Sequence, residues 1–282
     1  MDKKLILLTL KNIEKIGNVT AKKIMDSVLV DDINLEKLYT ILQNFPRVKI
    51  ADFDILKKAH FEAEKMLDRL SATNIDIVTY LDQDYPASFL TINDPPVFIF
   101  YSGDISITSQ RCVAVVGARN LSEKGKKIAY GLSAKLCKNN IIVSGLAEGV
   151  DTEAHRATIE NNGKTIAILG HGLDIIFPVQ NKQLSEDIVK TGGLIISEYP
   201  LGQTYSKYTF VARNRLQSAL SESVFIVEAS ENSGTMHTAK KALKYNKELF
   251  VFKSKSQDYL LPSGNLKLIH EGAKVFDEDY LT

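Results

Sequence analysis

The residues of this chain best suited to chemistry are glycines, small hydroxyls and arginines, set in short runs. Gly117-Ala118-Arg119-Asn120, Ser144-Gly145-Leu146-Ala147-Glu148-Gly149, Gly170-His171-Gly172-Leu173-Asp174 and Ser233-Gly234-Thr235 each combine glycine with small or polar neighbours. Glycine lets backbone N–H groups approach a ligand closely, and a helix opened by such a run favours an anion at its N-terminus. One such run is routine in an α/β protein. Several converging on one sheet edge point to a phosphate-bearing ligand. A second cluster is Tyr205-Ser206-Lys207-Tyr208-Thr209-Phe210-Val211-Ala212-Arg213-Asn214-Arg215. Aromatic rings interleaved with cations let bases stack while phosphates are neutralised. The same residues equally suit a loop entering a helix, with Phe210 in the core and one arginine in a salt bridge.

Other ligands fit less well. A dinucleotide site wants G-x-G-x-x-G after the first strand and an acidic residue about 20 positions on. Here Arg119 stands at the second glycine, where it obstructs a pyrophosphate but suits a phosphodiester. No Walker A lysine loop supports ATP hydrolysis. Asp151 and His155, at i and i+4, read as an N-cap and a packing histidine rather than a metal pair, because no third ligand accompanies them. His171 has no carboxylate or nucleophile spaced to partner it, and Ser144 lacks the G-x-S-x-G elbow. Cys112 and Cys137 lack metal-ligand spacing and read as buried small hydrophobes in a reducing compartment. The expectation is a chain that is not an enzyme, with no catalytic constellation, no metal and no cofactor.

The elements that must position these residues alternate regularly. Apolar strands are expected at Cys112–Val116, Ile141–Ser144, Thr165–Leu169, Leu194–Ser197, Val224–Glu228 and Glu248–Phe252. Between them, amphipathic helices fit Ser122–Cys137, Asp151–Asn161, Asn181–Lys190, Ala212–Leu220 and Thr235–Tyr245. Such alternation predicts an α/β fold with a mostly parallel sheet and helices on both faces, its ligand site at the carboxyl ends of the strands. Two further strands are expected at Asp76–Tyr80 and Val97–Tyr101. Residues 1–74 read as helical instead, with stretches at Ile6–Val28, Leu35–Leu42 and Ile50–Leu70. Within them, Ile16-Gly17 leading to Ala21 and Ile24 resembles half of a helix-hairpin-helix, although a tight turn between packed helices explains it more simply. The division expected is therefore 1–74 helical and 75–282 Rossmann-like.

With 282 residues, 44% of them hydrophobic and 24% charged, the composition is that of an ordinary globular chain. No run approaches the roughly 18 apolar residues of a membrane span. The opening residues read as a helix rather than a signal peptide, so a cytoplasmic location is expected. A net charge of +1 gives no global field, so any polyanion must bind a local patch.

Taken in order, the motifs resemble the DprA/Smf family of DNA-processing proteins. They are Val113 to Arg119, Ser144 to His155, Gly163 to Asp174, Phe177 to Asn181, Ile196 to Pro200, Phe210 to Arg215, Glu228-Ala229 with Ser233 to Thr235, and Leu268 to Ala273. The resemblance covers about residues 75–276, and the helical N-terminus is similar to the family's small SAM-like domain. It implies binding of single-stranded DNA on the carboxyl edge of the sheet, a homodimer, no membrane association, and loading of the recombinase RecA during natural transformation. Arg119 would be the principal phosphate-binding arginine. Gly117, Ala118, Ser144, Gly145, Ser233, Gly234 and Thr235 would line the pocket, with Asn181, Arg213 and Asn214 beside it. The dimer contact of the family's last helices would fall on Leu243, Leu266 and Ile269, although Leu243 and Ile269 equally suit plain core. The winged-helix tail of longer members has no expected counterpart.

There are departures. Val179 and Glu148 stand where many members carry basic residues, Val211 replaces a proline, and Lys253 to Ser256 replace a Pro-Gly. Lys182 could supply the missing cation. Two alternatives follow. Glu148 and Val179 would suit a diverged nucleotide-binding sensor. A nucleoside-monophosphate phosphoribohydrolase would need its catalytic glutamate where Thr238 stands.

Overall fold

The computed structural model describes residues 1–28, 33–46, 48 and 50–281, which divide into two compact units. The first comprises residues 1–85 and 92–100, the second residues 86–91 and those from 101 onward. In the first, apolar residues at helical spacing build α1 (Lys3–Lys11), α2 (Asn18–Asp26), α3 (Leu35–Asn44) and α4 (Phe53–Ser71). Helices α1 and α4 pack together, with Ile6, Leu7 and Leu10 buried on one and Leu56, Ala59 and Ala63 on the other. Asn34 and Asp52 cap α3 and α4, their side chains accepting from Lys37 N at 2.8 Å and Ile55 N at 3.0 Å. Gly17 caps α2 at φ −82°, and a Cβ there would meet nothing within 4 Å, so the turn between α1 and α2 does not demand glycine. The unit runs past residue 74 because β1 (Asp76–Thr79) packs on α1 and α4.

In the second unit the periodicity changes to strands that are buried on both faces. Strands β3 (Cys112–Val116), β4 (Ile141–Ser144), β5 (Thr165–Leu169), β6 (Leu194–Ser197), β7 (Ser223–Ile226), β8 (Glu248–Phe252) and β9 (Lys274–Phe276) follow β2 (Phe98–Gly103). Their order is β6-β5-β4-β3-β7-β8-β9, and each neighbouring pair is parallel. Strands β3 to β7 are buried end to end, which is why they read as unbroken apolar runs. Helices α5 (Glu123–Leu136) and α6 (Val150–Glu160) pack on each other against β3 and β4. Next in the chain come α7 (Lys182–Lys190), α8 (Lys207–Leu220), α9 (Gly234–Lys244) and α10 (Ser263–His270), and α8 packs on α9. The expected Rossmann-like α/β architecture is present. Strand β9 was not anticipated, since three residues, two of them exposed, carry no periodicity.

Two features of this unit place the site. The chain builds from β3 out to β6, then returns to lay β7 on the other side of β3. That reversal opens a crevice at the carboxyl ends of β3 and β7. Helix α8 starts at Lys207, a full turn before the expected Ala212. Ser206 Oγ accepts from Thr209 N at 3.1 Å while Thr209 Oγ1 accepts from Ser206 N at 2.9 Å, a reciprocal cap. Threonine in place of the usual glutamate or glutamine hid that cap in the sequence. Among the described residues no helix is long and apolar enough to cross a membrane.

Candidate functional site

The crevice holds a cleft of about 920 Å³, one wall of which is the turn after β3. Ala118 N donates to Glu228 O at 2.7 Å, Val150 N donates to Ala118 O at 3.1 Å, and Thr235 Oγ1 donates to Gly117 O at 3.0 Å. The turn is thereby wedged between the end of β7, the start of α6 and the start of α9. A Cβ at Gly117 would lie 2.4 Å from Val150 Cγ2, and one at Gly149 (φ +81°) would lie 2.2 Å from Ala118 O. Both positions need glycine for this close approach. Arg119 emerges from the turn exposed, its guanidinium carbon 5.2 Å from the centre of the Phe210 ring.

Beneath the cleft lie two buried side chains of opposite charge, Arg213 and Asp151. Arg213 is 5% exposed and donates through Nη1 to Ile168 O at the end of β5. A Cβ on Gly145 would fall 2.1 Å from that nitrogen, so glycine is what admits the guanidinium. Burial brings the Arg213 pKa down to about 10, against the opposing pull of the Asp151 carboxylate. Asp151 is buried and accepts from Gly145 N at 3.1 Å and Ala147 N at 3.3 Å. Burial raises its pKa while Arg213 holds it down. Asp151 is not the expected N-cap of α6: that position belongs to Gly149, and the carboxylate instead orders the loop after β4. His155 packs as expected, fully buried with Nδ1 2.7 Å from Thr165 Oγ1, and burial lowers its pKa to about 3. Among the described residues no group of three or more His, Cys, Asp or Glu is placed to hold a metal ion.

The Gly117–Arg119 turn, Arg213 with Asn214, and Ser233 to Thr235 line the cleft, and Gly145 lines a smaller cavity beside it. Asn214 Nδ2 donates to Gly234 O at 3.1 Å, tying α8 to the start of α9. Three other expected residues lie elsewhere. Ser144 is fully buried and its hydroxyl donates to Val115 O at 2.7 Å, joining β4 to β3. Asn181 is buried, and its Nδ2 donates to Leu146 O and to Thr152 Oγ1, each at 2.9 Å. It clamps a loop in which Leu146 adopts φ +59°, rather than facing a ligand. Lys182 is exposed at the start of α7 and lines neither cavity. Val179 is 72% exposed, so no buried cation is missing there.

The aromatic and basic cluster on α8 resolves into separate roles. Phe210 is not core: its ring lines the cleft under Arg119. Arg215 forms the salt bridge, a bidentate pair with Glu198 in which Nη2 lies 3.1 Å from Oε1 and the side chains are 8% and 15% exposed. Lys207 is the cation of the cluster left exposed at the cleft. The sequence reading missed Phe177 as a site residue. Its ring stacks on Tyr205 at 3.8 Å between centroids, with Phe210 5.8 Å from each and His171 meeting both Tyr205 and Phe210 edge-on. Burial lowers the His171 pKa, so the ring joins the stack as a neutral group. The position of Phe177, soon after a strand and before a proline, was the available signal. Leu243 and Leu266 are 47% and 44% exposed on α9 and α10, with Ile269 partly buried, so Leu243 is not plain core.

These features define a Rossmann-like α/β protein with a tightly packed glycine turn and an exposed arginine set against an aromatic stack at its strand ends. The model of the DNA recombination-mediator protein A family matches residues 76–280, and the chain belongs to that family. It is 40% identical over 195 residues to DNA processing protein DprA of Streptococcus pneumoniae, covering 69% of this chain and 68% of that one. To protein Smf of Synechocystis it is 39% identical over 216 residues, 75% of this chain but only 54% of the relative, so the match spans about half of that protein. Among solved structures, DprA of S. pneumoniae superimposes with TM-score 0.76 and 32% identity over 97% of this chain and 92% of that one. DNA processing protein A of Helicobacter pylori, whose structure describes its single-stranded DNA binding mode, gives TM-score 0.65 and 32% identity over 75% of this chain and 95% of that one.

Proposed function

We propose that this chain binds single-stranded DNA along the cleft at the ends of β3 and β7 and serves as a recombination mediator in DNA processing. The observation that carries the reading is Arg119, exposed above Phe210 and beside the Phe177–Tyr205 stack. A cation, backbone donors and open aromatic faces are what an unpaired strand engages, because every base offers a π-face once unstacked. Membership of the family and the single-stranded DNA binding mode of the Helicobacter relative support it. Protection of incoming DNA and loading of RecA during natural transformation follow from the family resemblance, as does a homodimer through Leu243, Leu266 and Ile269. The proposal includes no catalysis and no cofactor, and it places the protein in the cytoplasm.

The test is fluorescence anisotropy with a labelled oligo-dT against a matched duplex, for wild type and Arg119→Ala. Preferential binding of the single strand that weakens in the variant supports the reading. No binding at low salt refutes it. Glu148, exposed in the loop after β4, favours one second reading, a sensor of free nucleotides. Tight binding of a mononucleotide by a protein that ignores oligo-dT would select it.

A further inference from the structure

Helix α9 carries a row of cations that the motifs at the strand ends do not include. His237, Lys240, Lys241 and Lys244 stand at i, i+3, i+4 and i+7, so they share one face of the helix. Lys240 and Lys244 are exposed and Lys241 partly so, and among the described residues none of the three ammonium groups has an ion-pair or hydrogen-bond partner. Neither α9 nor α8, which packs beside it, contains a carboxylate side chain. The acidic residues that flank α9 in the chain are already matched, Glu231 by Lys267 and Glu248 by Lys274. The helix dipole favours cations in the last turn, at Lys241 and Lys244, but does not call for Lys240. A protein of net charge +1 thus gathers unneutralised positive charge along one helix. The row also starts at the cleft: His237 lines it, together with Asn232, Ser233 and Gly234 at the start of α9. From His237 to Lys244 the helix rises about 10 Å, the length of about three phosphates of a stacked strand. Leu243, named above for the dimer, lies about 100° round the helix from Lys244, so that contact leaves the middle of the row open.

We propose that α9 is an exit track for single-stranded DNA: a strand held in the cleft leaves past the His237 ring and lays its phosphates along Lys240, Lys241 and Lys244. The inference rests on the single-stranded DNA reading above and extends it beyond the cleft. Continuity with an aromatic-lined cleft favours a nucleic-acid strand over an acidic protein, which has no use for stacking faces. Long strands therefore gain contacts that short ones do not reach.

Anisotropy titrations with oligo-dT of about 5 and about 20 nucleotides test this, the shorter engaging the cleft alone. They compare wild type with Lys240→Gln/Lys244→Gln, and with Lys127→Gln/Lys138→Gln as a charge-matched control. The control lysines are exposed in and just after α5, which packs with α6 instead. Removing two phosphate contacts should lower the salt slope of the longer strand by about 1.4, and its affinity by about fivefold at low salt. The shorter strand should bind the α9 variant as it binds wild type, and the control should match wild type on both. Equal losses on the two lengths, or an equal loss in the control, would make the lysines part of a general field and overturn the track. An α9 variant that binds both strands as wild type does would overturn it and leave the cleft standing; if that variant has also lost binding to polyglutamate, the row belongs to an acidic partner. Binding of the longer strand that is weakened in the α9 variant but untouched by Arg119→Ala would keep α9 as a DNA surface and sink the cleft reading. Failure of wild type to bind either length would sink both.

Discussion

Replacing Arg119 by alanine separates a phosphate contact from a structural one. The side chain is exposed and lies over the face of Phe210, 5.2 Å from the ring centre. A cation–π contact at such a site contributes about 0.5–1 kcal/mol, so the melting temperature should move by little. Binding should respond more. A charge-assisted hydrogen bond to a phosphate is worth about 1.5–3 kcal/mol, which is roughly ten- to hundredfold in Kd. Each phosphate neutralised on a single strand also contributes about 0.7 to the slope of log K against log salt, which amounts to about 2.5-fold between 50 and 200 mM. Arg119→Ala should therefore lose most at low salt, with its deficit against wild type shrinking by about that factor at the higher concentration. Anisotropy titrations across the salt range read both quantities at once. A deficit that stays constant with salt would refute the phosphate assignment and leave Arg119 as a group that only orients Phe210. A large drop in melting temperature would refute the claim that the side chain is free of the fold.

Other perturbations probe the frame beneath the site. Gly145→Ala places a methyl 2.1 Å from Arg213 Nη1 and should cost about 1–3 kcal/mol in urea unfolding, and an unchanged midpoint would show that the guanidinium moves aside freely. Glu198→Gln leaves Arg215 buried without its carboxylate partner and should cost about 3–5 kcal/mol, whereas a loss below about 1 kcal/mol would class the pair with exposed ones. Glu278 is a pH reporter. Burial would raise its pKa, but Lys124 at 2.6 Å, Ser254 Oγ at 2.7 Å and Lys255 N at 3.0 Å outweigh burial and lower it from 4.5 to about 2. A depressed folded-state pKa stabilises the fold above the unfolded value and loses that contribution as pH falls through the folded one. Wild type should thus shed more stability than Glu278→Gln between pH 4.5 and about 2, and parallel acid-unfolding curves would contradict the assignment. Leu243→Glu with Leu266→Glu should convert a dimer to a monomer in sedimentation; a monomeric wild type, or an unmoved dimer, would refute the interface.

Much of this was written in local pattern. Strands β3 to β7 are buried on both faces, so burial alone made each a continuous apolar run, and the glycine runs between them marked where the chain turns onto a ligand. Gly117 and Gly149 were legible for the same reason: a neighbour 2.4 Å or 2.2 Å from the missing Cβ leaves no choice of residue. Arginine carries no such mark. Arg213 and Arg215 sit two residues apart and look alike in sequence, yet both are taken out of solvent by partners that the chain supplies from elsewhere. Glu198, 17 residues back, holds Arg215, while Gly145 makes room for Arg213 against Ile168 O, 45 residues back. Phe177 was missed on the same ground, because its stacking partners Tyr205 and Phe210 reach it only once the sheet order is set. The charge that remains exposed after this sorting, Arg119 with Lys207, is smaller than the cluster in the sequence suggested. On the proposed reading, a site with so few exposed cations draws on stacking for the rest of its affinity for a single strand, so substitutions at Phe177 and Tyr205 should weaken binding with little change in its salt slope.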